Sequence, residues 1–280
     1  MTKLSNKTSI SILGYGWLGR PLAIKLRDQG FVVKASTTTS DKLSDITEEG
    51  IQAFHINLKP ETDNKLFEQF LISDILYINI PPGLRKDPDS DRYIKQIQFI
   101  GKCIKNSPVK KVILISTTSI YPDGNKEYFE DDILNAEQSG NPILFQAEQT
   151  VRNWNIDYCI LRMGGLTGYD RNLLKYFEGK TNLTGGNTPV NLIHRDDSIA
   201  IIVQIIQNNQ AWNQVFNCCS PLHPLRKEFY THLANKFSGI APQYLDHDAT
   251  NWKKINSNKL INTLQYTYLF PNPLNYSYTR

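Results

Sequence analysis

No stretch of this 280-residue chain approaches the run of about 20 apolar residues that a membrane-spanning helix needs. The opening, Met1 to Ser9, is polar and lacks the apolar centre of a signal peptide. Four cysteines, Cys103, Cys159, Cys218 and Cys219, show neither CxxC spacing nor a disulfide framework. Three of them fall in apolar strand-like runs, "DYCILRM" and "VFNCCS", so they read as buried, reduced thiols. Neither sign of charge dominates. The 31 Lys and Arg against 27 Asp and Glu leave a net charge of +4, spread along the chain rather than clustered. That spread argues against a nucleic-acid partner. There is no internal repeat, no low-complexity segment and no metal-ligand spacing. Together these absences predict a cytoplasmic globular protein with no membrane, metal or nucleic acid bound. At 40% hydrophobic residues the chain is long enough to bury a full core unaided.

What is present is alternation. "SISIL" (9–13), "FVVKAS" (31–36), "IQAFHINL" (51–58), "DILYINI" (74–80) and "KKVILIS" (110–116) read as strands. Helical patterns separate them at 19–30, 61–71 and 90–107, the last with Ile94, Ile97, Ile100 and Ile104 at helical spacing. Further on come a helix at 142–154, a strand at 157–163, a helix at 195–208, a strand at 214–220 and a helix at 224–239 closed by Gly239. Such alternation predicts an α/β fold, a Rossmann-type, doubly wound and mostly parallel sheet. After about residue 168 strands become sparse. We expect a core over 1–167 and a smaller substrate-binding portion over 168–280, integrated as one unit.

The first strand runs straight into "GYGWLG", a G-x-G-x-x-G comb that opens a helix. That context makes it a dinucleotide fingerprint. Gly14 permits the tight turn, Gly16 lets backbone approach a pyrophosphate, and Gly19 lets helix and strand pack closely. NAD binders usually carry a carboxylate at the end of the second strand. Here Ser36, Thr37, Thr38 and Thr39 stand there, with no carboxylate before Asp41 and Lys42 close by. This favours NADP over NAD, although the expected arginine is missing as well.

The chain resembles the extended short-chain dehydrogenases/reductases, the NAD-dependent epimerase/dehydratase relatives, along most of its length. The resemblance is carried by "ILGYGWLG", by "VILISTTSIYPDG" (112–124), by "ILRMGGLTG" (160–168), by "NLIHRDDSIAIIVQII" (191–206) and by "VFNCCSPLHPLRKEFY". It implies cofactor contacts at Tyr15, Trp17, Leu18, Ile80, Pro81, Pro82, Ser116, Met163 and Gly164, beside the comb and the Ser36–Thr39 run. It also implies a small-molecule substrate and a homodimer. The family's chemistry joins a Ser or Thr to a Tyr-x-x-x-Lys pair on the next helix. The tyrosine moves a proton while the nicotinamide moves a hydride. The Ser/Thr position falls on Thr117. The pair is gone: Gly140 and Leu144 stand in its places, and residues 135–153 contain neither Tyr nor Lys. The resemblance is therefore to an atypical member.

Thr117 could meet a substrate oxygen or simply satisfy backbone at a strand end. Tyr121 could replace the lost proton donor or line the substrate cavity. His194 precedes "RDDS" and reads as a structural histidine tying a loop to a helix. Arg162 could pair with a buried carboxylate or reach a substrate phosphate. Asp170, Arg171, Asn172, Asn191 and Arg226 fall where a substrate could be met. The tyrosine-rich 264–278 reads as a packed C-terminal segment. Two functions stay open: an NAD(P)-dependent oxidoreductase or epimerase on a sugar-nucleotide-like or small polar substrate, and a non-catalytic NAD(P)-responsive binding protein.

Overall fold

The computed structural model describes residues 8–58, 64–83, 91–133, 135–246 and 250–279. In chain order its first half comprises β1 (Ser9–Leu13), α1 (Gly19–Asp28), β2 (Val32–Thr37), α2 (Leu43–Glu48), β3 (Gln52–His55), α3 (Asn64–Phe70), β4 (Ile75–Ile78), α4 (Arg92–Ile104) and β5 (Lys111–Thr117). Then follow β6 (Lys126–Tyr128), α5 (Pro142–Arg152), β7 (Asp157–Met163), β8 (Gly165–Thr167), β9 (Leu192–His194) and α6 (Arg195–Gln207). The last elements are β10 (Gln214–Cys218), α7 (Arg226–Phe237), β11 (Lys253–Ile255) and α8 (Asn258–Leu264). Parts of two expected helices, residues 61–63 and 90, and the polar residues 1–7 lie outside the described residues.

Seven strands join one sheet in the order β10-β7-β5-β4-β1-β2-β3. The pairings of β1 with β2 and β4, of β2 with β3 and of β4 with β5 are all parallel. The doubly wound fold forms as the alternation predicts. Strands β4 and β5 are near-continuous apolar runs because helices cover both faces of such a sheet. The strand order reverses between β1 and β4, and a crevice opens at the strands' carboxyl ends at such a switch.

The chain folds into two compact units. The first contains residues 1–116, 142–161 and 202–215, and the second 117–141, 162–201 and 216–280. The expected division at 167 cuts once along the chain, whereas these units interleave: β7 and β10 each start in the first and end in the second. The segments following the carboxyl ends of β5, β7 and β10 supply the second unit.

In the first unit, Leu76 and Ile78 of β4 and Val112 and Leu114 of β5 pack with Phe67 and Phe70 of α3, Ile97 and Ile100 of α4, and Leu144 and Val151 of α5. Gly101 of α4 lies flush on the Trp154 indole, and a Cβ there would overlap the ring. In the second unit β6 pairs with β11 and β8 with β9, both parallel. These three-residue strands are too short to show a period in the sequence. The core here gathers Leu174, Val190, Leu192, Phe229, Leu233 and Tyr276. The C-terminal aromatic run is fastened to the start of α6. The buried Asp197 carboxylate accepts from Tyr266 Oη (2.7 Å), the Leu269 amide (2.7 Å) and the Phe270 amide (3.0 Å).

One helix end differs from expectation. The left-handed residue closing α7 is Ser238 (φ 54°), not Gly239. Gly239 is small for another reason, since a Cβ there would overlap a Glu178 carboxylate oxygen. Cys159, Cys218 and Cys219 are buried and Cys103 is half-buried, and among the described residues none of the four forms a disulfide. Among the described residues no helix is long and apolar enough to cross a membrane.

Candidate functional site

The glycine comb turns where β1 ends. Gly14 has φ +112°, and a Cβ on it would come 2.6 Å from the Asn79 carbonyl oxygen. Gly19, the first residue of α1, would overlap the Gly14 carbonyl oxygen if it carried a Cβ. These two glycines let the β1–α1 turn close on itself. Gly16 differs, because a Cβ there would meet nothing within 4 Å. Its face looks into open space, as a surface reserved for a ligand should. No side chain caps α1, and no acidic residue stands in its first turn. Its dipole therefore favours an anion there.

The loops after four strands complete a cleft of roughly 360 Å³. Leu13 ends β1 and Gly14, Tyr15 and Gly16 follow it, while Ser36 and Thr37 end β2 and Thr38, Thr39 and Lys42 follow it. Ile56, Asn57 and Leu58 come after β3, Asn79, Ile80 and Pro81 after β4, and Arg92 and Gln96 from the start of α4. Among the described residues that line it there is no carboxylate, and there are two cations. The sequence shows no arginine near the end of β2. The fold supplies Arg92 from more than fifty residues further on, which sequence spacing had no means of revealing.

Ser36 is tied to the comb rather than left free at the strand end. Its Oγ accepts from the Gly14 amide (3.2 Å), and its carbonyl accepts from the Tyr15 amide (2.8 Å). It thus holds the comb from the neighbouring strand. Thr37 Oγ1 accepts from the Thr39 amide (3.1 Å) and shapes the turn that follows. Tyr15 is 7% exposed, and its hydroxyl is buried without a hydrogen-bond partner. The open face at Gly16 and the uncapped helix together fit a dinucleotide. Trp17, Leu18 and Pro82 are not among the lining residues; Leu18 is buried beneath the comb.

Ser116 is occupied otherwise. Its Oγ donates to Glu148 Oε1 of α5 at 2.5 Å, both groups being buried. Leu144, where the family has its lysine, is 2% exposed and part of the hydrophobic core. Gly140 precedes α5; its amide donates to the Ile120 carbonyl (2.8 Å), and a Cβ would press the Tyr121 carbonyl at 2.9 Å. A side chain at that position would need the 120–122 turn to move.

The second unit holds most of the remaining candidates, and most are spent on structure. Tyr121 is fully buried; its hydroxyl donates to Asn217 Oδ1 (2.7 Å) and accepts from Arg162 Nη1 (2.6 Å). Arg162 also donates to the Glu130 carbonyl (2.8 Å), while the Glu130 carboxylate accepts from the Asn217 amide (2.8 Å). Burial raises the pKa of both Tyr121 and Glu130. With its donor committed and no solvent face, Tyr121 anchors this network instead of offering a proton. The buried partners of Arg162 are a phenol and a backbone carbonyl, where a carboxylate or a substrate phosphate was expected.

Asn191 spends its amide on β11, donating to the Lys253 carbonyl and accepting from the Ile255 amide, each at 2.9 Å. Met163 is buried, and Gly164 packs closely against Cys219 Sγ and the Asn191 carbonyl. The Arg226 guanidinium lies beside Gly185. Asn172 caps the turn at Leu174, and with Asp170 lines an open hollow elsewhere in this unit. His194 is the structural histidine expected: it is fully buried, its Nδ1 accepts from the Asp196 amide (3.2 Å), and its ring lies 4.0 Å from that of Phe270. Thr117 keeps some freedom. It is half-buried, and its Oγ1 accepts from the Ser119 amide (3.2 Å).

Comparison with known proteins agrees with the cleft. A family described as NAD(P)H-binding matches residues 14–209, about seven-tenths of the chain. The chain belongs to that NAD(P)H-binding family. It is 30% identical to Protein YeeZ of Escherichia coli K12 over 271 residues, covering 95% of this chain and 97% of the relative. Its fold is shared with solved NAD-dependent epimerases and with a short-chain dehydrogenase/reductase superfamily protein from Agrobacterium tumefaciens. A UDP-glucuronic acid 4-epimerase from Bacillus cereus, solved with UDP-glucuronic acid and NAD, superposes with a TM-score of 0.75 at 18% identity, covering 96% of this chain and 98% of that one. A structure described as a putative NAD-dependent epimerase/dehydratase from Methylobacillus flagellatus gives 0.70 at 20%, covering 96% and 95%.

Proposed function

We propose that this NAD(P)H-binding chain is an NADP-dependent oxidoreductase or epimerase/dehydratase-like enzyme that acts on a sugar-nucleotide-like or other small polar substrate without a Tyr–Lys pair. The observation that carries the cofactor half is the comb cleft, open at Gly16 and lined by Lys42 and Arg92 with no described carboxylate. A carboxylate at the end of β2 would repel a 2′-phosphate, whereas hydroxyls and cations accept it. Gly14, Tyr15, Gly16 and the start of α1 would hold the diphosphate, and Ser36–Thr39 the adenosine side. When bound, the nicotinamide supplies or accepts hydride.

Thr117 orients a substrate oxygen by hydrogen bonding. Gly140, Leu144 and Tyr121 transfer no proton: the first two have no titratable group, and the third is sealed in its network. Proton movement then falls to solvent or to the substrate's own groups. The sugar-nucleotide half rests on the fold shared with the Bacillus cereus epimerase, an analogy of fold.

The second reading is an NAD(P)-responsive binding protein. The specific observation in its favour is Leu144 embedded in the core where a lysine would be needed. Titration of the purified chain with NADPH and NADH, followed by nucleotide fluorescence, tests the cofactor. Loss of reduced-nicotinamide absorbance over a panel of carbonyls and sugar nucleotides then separates the readings. Turnover supports the enzyme; tight binding without turnover on any compound supports the binding protein. Failure to bind either nucleotide removes both.

A further inference from the structure

We infer that Arg92, at the start of α4, is the residue that selects NADPH over NADH. The inference rests on the NAD(P)-binding reading and goes beyond it by naming the discriminating cation. Arg92 lines the same cleft as Lys42 and the Ser36–Thr39 turn, the place where the adenosine ribose of a comb-bound dinucleotide belongs. A Cβ on Gly83 would overlap the Arg92 guanidinium at Nη2, and Gly83 has φ +74°. Pro81 lines the cleft wall, and the tip of the Arg92 guanidinium lies beside Gly83.

Arginine suits the task because its planar fork matches phosphate oxygens two at a time, which Lys42 alone does not. A second, independent observation marks the cleft as built for a ligand: a Cβ on Gly16 would meet nothing within 4 Å, so the comb presents open backbone to it. Ser36 contributes by absence of charge, since it stands where an NAD binder's carboxylate would meet the ribose hydroxyl, and its Oγ is engaged by the Gly14 amide. Selection therefore comes from removing the repulsive group on β2 and importing the attractive one from α4.

The test uses the full chain with NADPH, NADH and adenosine 2′,5′-bisphosphate as probes. For wild type we expect NADPH to bind more tightly than NADH, and adenosine 2′,5′-bisphosphate to displace it better than 5′-AMP does. Arg92→Ala should weaken NADPH and the bisphosphate by about tenfold or more, the loss of a charge-assisted pair, and leave NADH unchanged. Arg92→Lys should restore part of that loss. Equal NADH and NADPH affinity in wild type, or an Arg92→Ala that weakens both nucleotides alike or neither, overturns the inference while the NAD(P)-binding reading stands. Binding of no dinucleotide at all overturns that reading, and the inference with it.

Discussion

The comb cleft of the first unit and the Arg162 network of the second are built on opposite rules. Around Gly16 the chain leaves polar capacity unused: a helix end without a side-chain cap, a buried Tyr15 hydroxyl without a partner, and open space over a glycine. Around Arg162 polar groups satisfy one another. Tyr121, Asn217 and Glu130 close a ring of short hydrogen bonds at complete or nearly complete burial. Both regions are rich in the residue types that chemistry uses, yet only the first has kept them available. Residue type alone nominates Tyr121 as readily as Tyr15, and the difference lies in what each hydroxyl already touches.

The comparison can be broken first at Arg162. Arg162→Ala should destabilise the fold by about 2–4 kcal/mol, because it strands the buried Tyr121 hydroxyl and Glu130 carbonyl and removes a positive charge near the buried Glu130 carboxylate. Urea denaturation measures this, and a loss below about 1 kcal/mol would mean that the network is not a stabilising unit. On the cofactor side, Gly19→Ala should abolish measurable dinucleotide binding and cost about 1–3 kcal/mol, because the new methyl would drive into the Gly14 carbonyl. Unchanged NADPH affinity in that variant would remove the comb from the site.

Tyr121→Phe sharpens the contrast. It should cost about 1–3 kcal/mol by leaving Asn217 Oδ1 and an arginine N–H unpaired, while turnover measured well below the melting temperature persists. A collapse of kcat with unaltered stability would give Tyr121 a chemical role. The smallest effect concerns pH. Burial lowers the pKa of His194 and His223 below the ordinary 6.5, so the folded state resists protonation that the unfolded state accepts. Their contribution to stability is whole above about pH 6.5 and is lost as pH falls through the folded values. Denaturation midpoints in mildly acidic buffers should decline accordingly, and the decline should be shallower in His194→Asn, which keeps an acceptor for the Asp196 amide.

Much of the fold was legible because its signals are local. β1, β7 and the start of α1 fall on their expected bounds, since apolar runs and glycine punctuation report on neighbouring residues. β6, β8, β9 and β11 escaped notice, being three residues long and defined by partners 27 to more than 120 positions away. The Gly239 reading failed for a related reason. Glycine can mark either a left-handed turn or a close approach, and the Glu178 carboxylate that decides between them is distant in sequence.

For the site, the sequence by itself determined the cofactor class, because a comb between strand and helix carries its own mechanism in six residues. It also determined the loss of the Tyr–Lys pair, a matter of which residue types are absent. Only the tertiary structure decided that Arg92 joins the cleft, that Ser116 belongs to Glu148 and that Tyr121 belongs to Arg162. Those assignments depend on burial and on competition for hydrogen-bond partners far apart in the chain, 32 residues for Ser116 and Glu148 and 41 for Tyr121 and Arg162, quantities that exist only once the chain has folded.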